Sequence, residues 1–292
     1  MAQGISLHVG LNKANLAGIQ VPKLQGCVND AFCMQEIVAA KFSTQRLLNE
    51  EATYDAVIGA IEEASKQLVA GDIFVFTFSG HGGRDPSSDP DEGSDFQDES
   101  IVLYDKILID DVFRRSLWPL FKDGVRIFAV SDCCHAEGAF TVPPGDDNEN
   151  VADDISAPVG SPILTGTQEM SNDNVSSEEA IRELDFGSNS AHFNELQEFY
   201  DEVRAKLPTA APPINADLLT LSACEASEEA RDGFPNGVFT KALLEVMKEG
   251  LPNYEKLHEA IALKLEGQSQ HPVLTLFEGS NAGFPKQLPF SI

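Results

Sequence analysis

The chain has 292 residues, of which 42% are hydrophobic, and this is enough to bury a sizeable core. The 47 acidic residues outnumber the 20 basic ones and give a formal net charge of -27. Because such a field repels phosphate groups and anionic lipids, it argues against nucleic-acid and membrane partners and favours basic peptides. No apolar run approaches the roughly 20 residues that span a bilayer, and no basic, apolar leader precedes Ile5.

The cysteines indicate the compartment. There are five of them, an odd number, and they are scattered along the chain. This usage does not fit a disulfide framework and is typical of reduced thiols. We therefore expect a cytoplasmic protein.

The first part of the chain predicts alternating strands and helices. Ile5 to Leu11 is a short apolar run typical of a strand, and residues 31–40 suit a helix. Thr53 can cap a second helix, which Gly71 is expected to end. Ile73 to Phe78 follows as a continuous β-branched and aromatic run, the pattern of a strand buried on both faces.

The later elements continue this alternation. Strands are predicted at Val125 to Val130, Leu218 to Leu221 and Val273 to Phe277. Helices are predicted at 237–249 and 254–265, where apolar residues recur at helical spacing. The pattern indicates the α/β class, with a mostly parallel sheet covered on both faces by helices.

Two stretches break the alternation. Residues 84–99 are dense in Asp, Glu, Ser, Pro and Gly, which predicts an exposed loop. Residues 141–213 form a longer insertion that begins with acidic sequence, and within it 191–206 could form an amphipathic helix. We therefore divide the chain into a larger part, 1–140, and a smaller part, 214–292, which complete one sheet.

Reactive side chains follow the two most apolar strands. Ser79 to Gly83, with sequence SGHGG, comes after one strand, and Ser131 to His135, with sequence SDCCH, comes after the other. If the strands are neighbours, His81 and Cys134 project into one crevice at the carboxyl ends of the strands. A cysteine is a nucleophile only as thiolate, and a histidine within reach can serve as its base. Glycine amides beside them can hold an oxyanion.

These segments resemble the caspase-like cysteine peptidases, and among them the metacaspases and bacterial orthocaspases. The resemblance implies a caspase-like sandwich, a central, mostly parallel six-stranded sheet flanked by helices. The parts 1–140 and 214–292 would then correspond to the large (p20-like) and small (p10-like) parts of the family, with 141–213 as an acidic linker. The matching segments, in family order, are Gly26 to Ala31, Ser79 to Gly83, Asp132 to His135, Leu221 to Cys224 and Gly237 to Thr240.

The resemblance also implies roles for the reacting groups. Cys134 matches the nucleophile, because the family motif is Asp-x-Cys-His and Cys133 stands in the variable place. His81 matches the general base and precedes Cys134 by roughly 50 residues, as the histidine of caspases does. The amides of Gly82 and Cys134 match the oxyanion donors. The role of His135 is left open.

The family's substrate preference carries over in the same way. The resemblance implies that Asp30, Asp132, Ser79 and Ser222 line a pocket for arginine or lysine at the residue before the cut. Paired carboxylates suit a guanidinium or ammonium group. The expected activity is that of a cysteine endopeptidase acting through a thioester on peptide or protein substrates. The alternatives are a catalytically silent interaction module and a peptide ligase that uses the same nucleophile.

The sequence contains only part of the calcium site that many metacaspases have. Asp110 and Asp111 match the paired aspartates of the calcium site in many metacaspases, and Asp95 or Asp98 could contribute. The aspartate expected after the Cys-His pair is missing, since Thr141 stands near that place. Calcium takes about six to eight oxygen ligands. We therefore expect that no cofactor is required, with calcium as the open alternative.

Many relatives cut themselves within the linker. Arg182, Arg204 and Lys206 are the basic residues of the 141–213 insertion and are therefore the candidates for such a cut. The resemblance also favours a monomer.

Overall fold

The centre of the fold is a seven-stranded sheet, and a second, four-stranded sheet lies beside it. The computed structural model describes residues 2–16, 19–85, 98–134, 140, 153–154, 180–184, 191–225 and 228–292. Its strands are β1 (Gly4–Gly10), β2 (Phe42–Leu48), β3 (Ile73–Ser79), β4 (Gly82–Asp85), β5 (Asp98–Val102), β6 (Ile107–Ile109), β7 (Arg126–Asp132), β8 (Asp153–Asp154), β9 (Glu183–Leu184), β10 (Asp217–Ser222) and β11 (Val273–Leu276).

Helices cover the main sheet and connect its strands. One of them, Asp110–Val112, is short and continues through a π-helical turn at 113–117 and a 3-10 turn at 118–120. The helices are α1 (Cys27–Val38), α2 (Tyr54–Gln67), α3 (Asp110–Val112), α4 (Ala191–Lys206), α5 (Val238–Met247) and α6 (Tyr254–Lys264).

The strand order of the main sheet is β2-β1-β3-β7-β10-β11-β8. The pairs from β2 to β10 are parallel, whereas β11 and the two-residue β8 run antiparallel. The predicted caspase-like sandwich with a mostly parallel six-stranded sheet is confirmed, with β8 as a short addition at the edge. Strands β7 and β10 are direct neighbours, so elements on either side of the 141–213 insertion share one sheet. The division at 140 and 214 stays a prediction.

Strand β3 shows why its sequence is apolar on both faces. Phe74 and Phe76 belong to a core cluster that includes α2 and the aromatic residues around Trp118. Ile73 and Val75 belong to the cluster on the opposite face, with α1, α5 and α6. Because successive side chains of a strand point to opposite faces, a central strand between two helical layers has no solvent-facing position.

Several predicted boundaries need correction. Helix α1 begins at Cys27 rather than near residue 31, and the Asn12 side chain accepts a hydrogen bond from the Val28 amide in its first turn. Thr53 caps α2 as predicted, with its hydroxyl accepting from the third amide that follows it. That helix nevertheless ends at Gln67, and Gly71 makes the turn into β3 at a φ of +92°.

Two strand regions were missed or misread. Strand β2 was not predicted, because FSTQRLL mixes polar and apolar residues and lies at the sheet edge. The predicted exposed loop at 84–99 is wrong at its ends, which belong to β4 and β5 of the second sheet, and the residues between lie outside the described ranges. Glu99 and Ser100 of β5 are buried, and β5 pairs with a neighbour on each side. The helix predicted at 191–206 is confirmed as α4.

None of the helices in the described part of the chain is both long and apolar enough to cross a lipid bilayer.

Candidate active site

The site lies where β3 and β7 end side by side. Ser79 of β3 pairs with Asp132 of β7 at the carboxyl end of the parallel pair. His81 and Cys134 each follow two residues further along their chain segments. The carboxyl ends of neighbouring parallel strands form the crevice in which α/β proteins bind ligands. All four side chains are at least 95% buried, so the crevice is closed to water at this point.

His81 is oriented by a backbone carbonyl group. Its Nε2 lies 2.8 Å from the carbonyl oxygen of Pro22. A carbonyl oxygen can only accept, so Nε2 carries the proton and Nδ1 is left as an acceptor. Nδ1 is buried and has no hydrogen-bond partner within the described residues. Burial lowers the pKa of His81, with a smaller contribution from the Arg182 guanidinium, and this favours the neutral base at neutral pH.

Cys134 is a buried thiol in this arrangement. Its Sγ accepts a hydrogen bond from the Ala230 amide at 3.1 Å and lies 3.5 Å from the Ala230 carbonyl oxygen. Burial raises the pKa of Cys134 to about 12. A thiol with such a pKa is protonated at neutral pH, so its reaction as a nucleophile needs a base.

Two backbone amides near the thiol converge on one carbonyl oxygen. The Gly82 amide donates to the oxygen of Arg182 at 2.8 Å, and the Cys134 amide donates to the same oxygen at 3.3 Å. Position 82 must be glycine, because a Cβ there would lie 2.0 Å from the Cys134 carbonyl oxygen. Two amides aimed at one oxygen can stabilise negative charge that develops on it.

The bound oxygen belongs to a segment of the linker that lies in the crevice as an extended strand. The Arg182 amide donates to the Ala230 carbonyl at 3.0 Å, and the Asp232 amide donates to the Ala180 carbonyl at 2.8 Å. The two segments therefore pair in the antiparallel sense. The linker segment continues into β9, which pairs with β4. Residues 180–184 thus occupy the crevice in the way that an extended peptide binds a sheet edge.

The Arg182 side chain is fully buried at 0% exposure and is surrounded by carboxylates. Its Nη2 lies 2.8 Å from Asp30 and 2.9 Å from Asp232. Its Nη1 lies 2.8 Å from Asp132 Oδ1 and 2.9 Å from the Ser79 hydroxyl, and it also donates to the Asp132 carbonyl at 3.0 Å. A buried charge of this kind is tolerated only when it is paired and hydrogen-bonded. Both conditions are met at Nη1 and Nη2, whereas Nε has no hydrogen-bond partner among the described residues.

Asp132 is held by the first turn of α5. Its Oδ2 accepts from the Thr240 hydroxyl at 2.5 Å and from the Thr240 amide at 3.2 Å. Burial raises the pKa of Asp132 to about 6, while the Arg182 guanidinium acts in the opposite direction. The carboxyl group therefore depends on a cation in the pocket to remain ionised.

The structure brings most of the sequence-predicted pocket together, with one exception. Asp30, Asp132 and Ser79 all contact the Arg182 guanidinium. Ser222 does not. It lies opposite Ser131 in the β7–β10 register, and its hydroxyl accepts a hydrogen bond from Ser131 at 3.3 Å. Its expected place in the pocket stays a prediction.

Three groups of the site were missed by sequence reasoning. They are the Asp232 carboxylate, the Ala230 backbone and the Pro22 carbonyl. Two of them act through backbone atoms, which any residue type provides, so the sequence carries no signal for them. Asp232 is one of 47 acidic residues and stands in none of the motif segments.

The other self-cleavage candidates lie elsewhere. Arg204 and Lys206 belong to the last turn of α4, where they pair with Asp201 at 3.8 Å and Glu202 at 3.7 Å. A peptide bond within a helix does not have the extended form that residues 180–184 adopt. His135 lies outside the described residues.

The calcium candidates are not assembled in the described part of the chain. Among those residues no cluster of three or more His, Cys, Asp or Glu side chains could hold a metal ion. Asp110 is buried, and Asp111 forms an ion pair with Arg115 at 2.8 Å. Asp95 and the side chain of Asp98 lie outside the described set.

Comparison with known proteins gives concordant matches. The caspase-domain family model matches residues 7–280. Metacaspase-7 from Arabidopsis thaliana is 33% identical over 140 residues, which cover 43% of this chain and 35% of that protein. Metacaspase-1 from Schizosaccharomyces pombe is 24% identical over 262 residues, which cover 84% of this chain and 59% of that protein. The chain therefore covers 35% and 59% of the lengths of these two curated relatives.

Solved structures agree with the fold. The protein GSU0716 from Geobacter sulfurreducens is 30% identical, with a TM-score of 0.78, and the match covers 99% of both chains. Caspase-1 from Spodoptera frugiperda matches with a TM-score of 0.53 over 94% of this chain and 86% of that chain, at 10% identity, which shows a common fold. Because the family model extends over most of the sequence, the chain belongs to the caspase-domain family.

Proposed function

We propose that the chain is a cysteine endopeptidase that hydrolyses peptide bonds after arginine or lysine, with Cys134 as nucleophile and His81 as general base. One observation carries the proposal. The carbonyl oxygen of Arg182 accepts from the amides of Gly82 and Cys134, while its side chain is enclosed by carboxylates. This is the pose of a residue whose following peptide bond is about to be attacked, with the carbonyl polarised and the side chain anchored.

The reaction follows from the groups at the site. His81 Nδ1 takes the Cys134 thiol proton, and the sulfur forms a bond to the carbonyl carbon while the carbonyl electron pair moves to the oxygen. The Gly82 and Cys134 amides hold this oxyanion. When the C–N bond breaks, His81 gives the proton to the leaving amine and a thioester remains. Water then gives a proton to His81 while its oxygen attacks the thioester carbon. When the C–S bond breaks, His81 returns the proton to the Cys134 sulfur and the acid is released.

The enzyme's first substrate is its own linker. The carbonyl group of the Arg182–Glu183 bond accepts from the backbone amide of Cys134, and Arg182 fills the pocket that any other basic residue would enter. The intact chain is therefore a latent form, because Arg182 occupies the pocket that a peptide substrate needs. Since Arg182 is covalently tethered, its effective concentration at the pocket exceeds that of a free peptide. Cleavage after Arg182 releases the restraint of the covalent link and opens the crevice.

The test is to purify the full chain and follow its mass with time. We expect two fragments, the second beginning at Glu183, and then hydrolysis of fluorogenic peptides ending in arginine or lysine. Cys134→Ala and His81→Ala should stay intact, and Arg204→Ala serves as a matched control that cleaves like the wild type. A wild-type chain that stays whole and cleaves no basic peptide would contradict the proposal. Products joined to an added amine instead of water would identify a ligase.

We also propose that calcium is not required. Asp111 is one of the expected calcium ligands, and its carboxylate already forms an ion pair with Arg115 of the same chain. The rate of self-cleavage should then be equal with added calcium and with a chelator. A strict dependence on calcium would overturn this point and direct attention to Asp95 and Asp98.

We also propose that the active form is a monomer and that it acts in the cytoplasm. The backbone of β11 pairs with β8 of the same chain, so less of this sheet edge is open to a second copy. The five cysteines are free thiols, as reducing compartments favour. Sedimentation of the processed enzyme at assay concentrations tests the monomer, and a dimeric mass would contradict it.

A further inference from the structure

Asp232 adds a third carboxylate to the pocket, beside those of Asp30 and Asp132. It is 2% exposed, and its Oδ1 lies 2.9 Å from Arg182 Nη2. It belongs to the segment whose backbone pairs with residues 180–182. The same segment therefore hydrogen-bonds to the backbone of residues 180–182 and contacts the guanidinium group of Arg182.

The acceptors are arranged around two separate nitrogen atoms. Nη1 has three oxygen neighbours, from Ser79 and from the side chain and backbone of Asp132. Nη2 has two, from Asp30 and Asp232. The planar guanidinium offers N–H groups at both nitrogens in a fixed fork, whereas lysine has one nitrogen with three N–H groups. A lysine ammonium cannot reach all five oxygens, and it leaves at least one buried carboxylate without a cation beside it, which is costly.

The carboxylates cannot easily rearrange around a smaller cation. Asp232 accepts from the backbone amides of Gln25 at 2.6 Å and Gly26 at 3.1 Å, which fix both of its oxygens. Asp30 accepts from the Ser79 hydroxyl at 2.7 Å and from the Gly237 amide at 3.1 Å. Because each oxygen of Asp30 and Asp232 is already held, this side of the pocket is preorganised for one cation shape.

Gly237 closes one side of the pocket. A Cβ at this position would lie 2.3 Å from Arg182 Nη2 and 2.6 Å from Cζ. The guanidinium therefore packs directly against the Gly237 backbone, and its depth in the pocket is fixed by this contact. A shape-matched wall adds to the discrimination that the hydrogen bonds provide.

We infer that Asp232 is a specificity-determining residue that makes this pocket selective for arginine over lysine. The inference rests on the proposed function and narrows it from basic residues in general to the guanidinium group. In this role Asp232 binds the substrate side chain directly.

The first experiment uses the self-processed wild-type chain and three peptides of sequence Glu-Ala-Ile-X, where X is arginine, lysine or citrulline. The neutral citrulline keeps the shape of arginine without its charge. We expect kcat/KM for arginine to exceed that for lysine by at least roughly 100-fold, with citrulline not cleaved measurably. In Asp232→Asn the arginine-to-lysine ratio should fall at least about tenfold, mainly through KM for the arginine peptide. Asp123→Asn, an exposed change of equal charge, should keep the wild-type ratio.

A second measurement separates the pocket from the chemistry. In the intact Cys134→Ala chain, Arg182→Lys, Asp232→Asn and the double variant form a thermodynamic cycle on unfolding. We expect the two positions to be coupled by at least roughly tenfold in the unfolding constant. If no peptide is cleaved but coupling is found, the proposed function fails and the arginine-selective pocket stands.

Three results would overturn the inference. They are a wild-type ratio of arginine to lysine below about tenfold, a ratio that Asp232→Asn leaves unchanged, or a cycle without coupling. If Asp232→Asn does not fold, the wild-type ratio and the stability of Arg182→Lys decide, because neither needs that variant.

Discussion

The Gly82 amide donates to the Arg182 carbonyl oxygen at 2.8 Å, and this contact links the glycine after His81 to the residue that fills the pocket. The contact depends on the absence of a side chain at position 82, because a Cβ would lie 2.0 Å from the Cys134 carbonyl oxygen. The backbone of the two strand ends can therefore approach closely enough for both amides to meet one oxygen. Substitutions that disturb this approach should impair catalysis before they impair folding.

Gly82→Ala should slow self-cleavage by roughly 100- to 1000-fold, the range seen when one oxyanion donor is lost. The displaced strand end no longer directs its amide at the carbonyl oxygen. The readout is the rate at which the full chain separates into fragments. Gly59→Ala is the matched control, because a Cβ there meets nothing within 4 Å, and it should cleave at the wild-type rate. Equal rates for both variants would contradict the expected role of the Gly82 amide.

Binding of an arginine peptide should strengthen as the pH rises. The pKa of Asp132 is about 6 with a guanidinium in the pocket, and that guanidinium lowers it, so the pKa in the empty pocket is higher. A ligand that lowers a pKa binds more tightly as the pH rises between the two values. KM for the arginine peptide should therefore fall as the pH rises above about 6.

The Asp132→Asn variant checks the assignment of this titration. It lacks the titrating carboxyl group, so its KM should be higher and constant over the same pH range. Competitive inhibition by agmatine, which carries the same guanidinium, gives an independent measure of pocket binding. A wild-type KM that does not change with pH would contradict the expected coupling.

Thr240→Val should raise KM for the arginine peptide by roughly tenfold with little change in kcat. The hydroxyl of Thr240 donates to Asp132 Oδ2 at 2.5 Å, and valine keeps the shape but removes the donor. Losing a hydrogen bond to a charged group costs about 1.5 to 3 kcal/mol, part of which the remaining amide contact offsets. Thr209→Val, at an exposed position, is the control. A fall in kcat at constant KM would assign Thr240 to the chemical step instead of the pocket.

Phe76→Ala should destabilise the fold by about 3 to 5 kcal/mol, as for other large core truncations. The ring lies within 5.4 Å of the Phe140 ring and 5.8 Å of the Phe113 ring, measured between centroids, and is fully buried. Denaturant unfolding in the Cys134→Ala background avoids interference from self-cleavage. Phe234→Ala is the matched control, because Phe234 is 83% exposed and its loss should cost no more than about 0.5 kcal/mol. Similar losses for both would refute the assignment of Phe76 to the core.

The sequence was informative wherever local pattern and burial agree. The run from Ile73 to Phe78 is apolar at every position because β3 is covered on both faces, and this is visible without coordinates. The reactive segments are equally local, since His81 and Cys134 each follow such a strand. Strand β2 was missed because half-exposed edge positions accept polar residues, so its pattern carries less information.

What the tertiary structure alone decided is the composition of the pocket. Arg182 could be named as one of three basic residues of the linker, but nothing in its neighbourhood of sequence distinguishes it from Arg204 or Lys206. Asp232 had no signal at all, although it meets Arg182 at 2.9 Å. A pocket is formed by residues that are distant in sequence, and a charged side chain has the same appearance in the sequence whether it faces solvent or a buried partner. Only the fold determines which carboxylates share one cation.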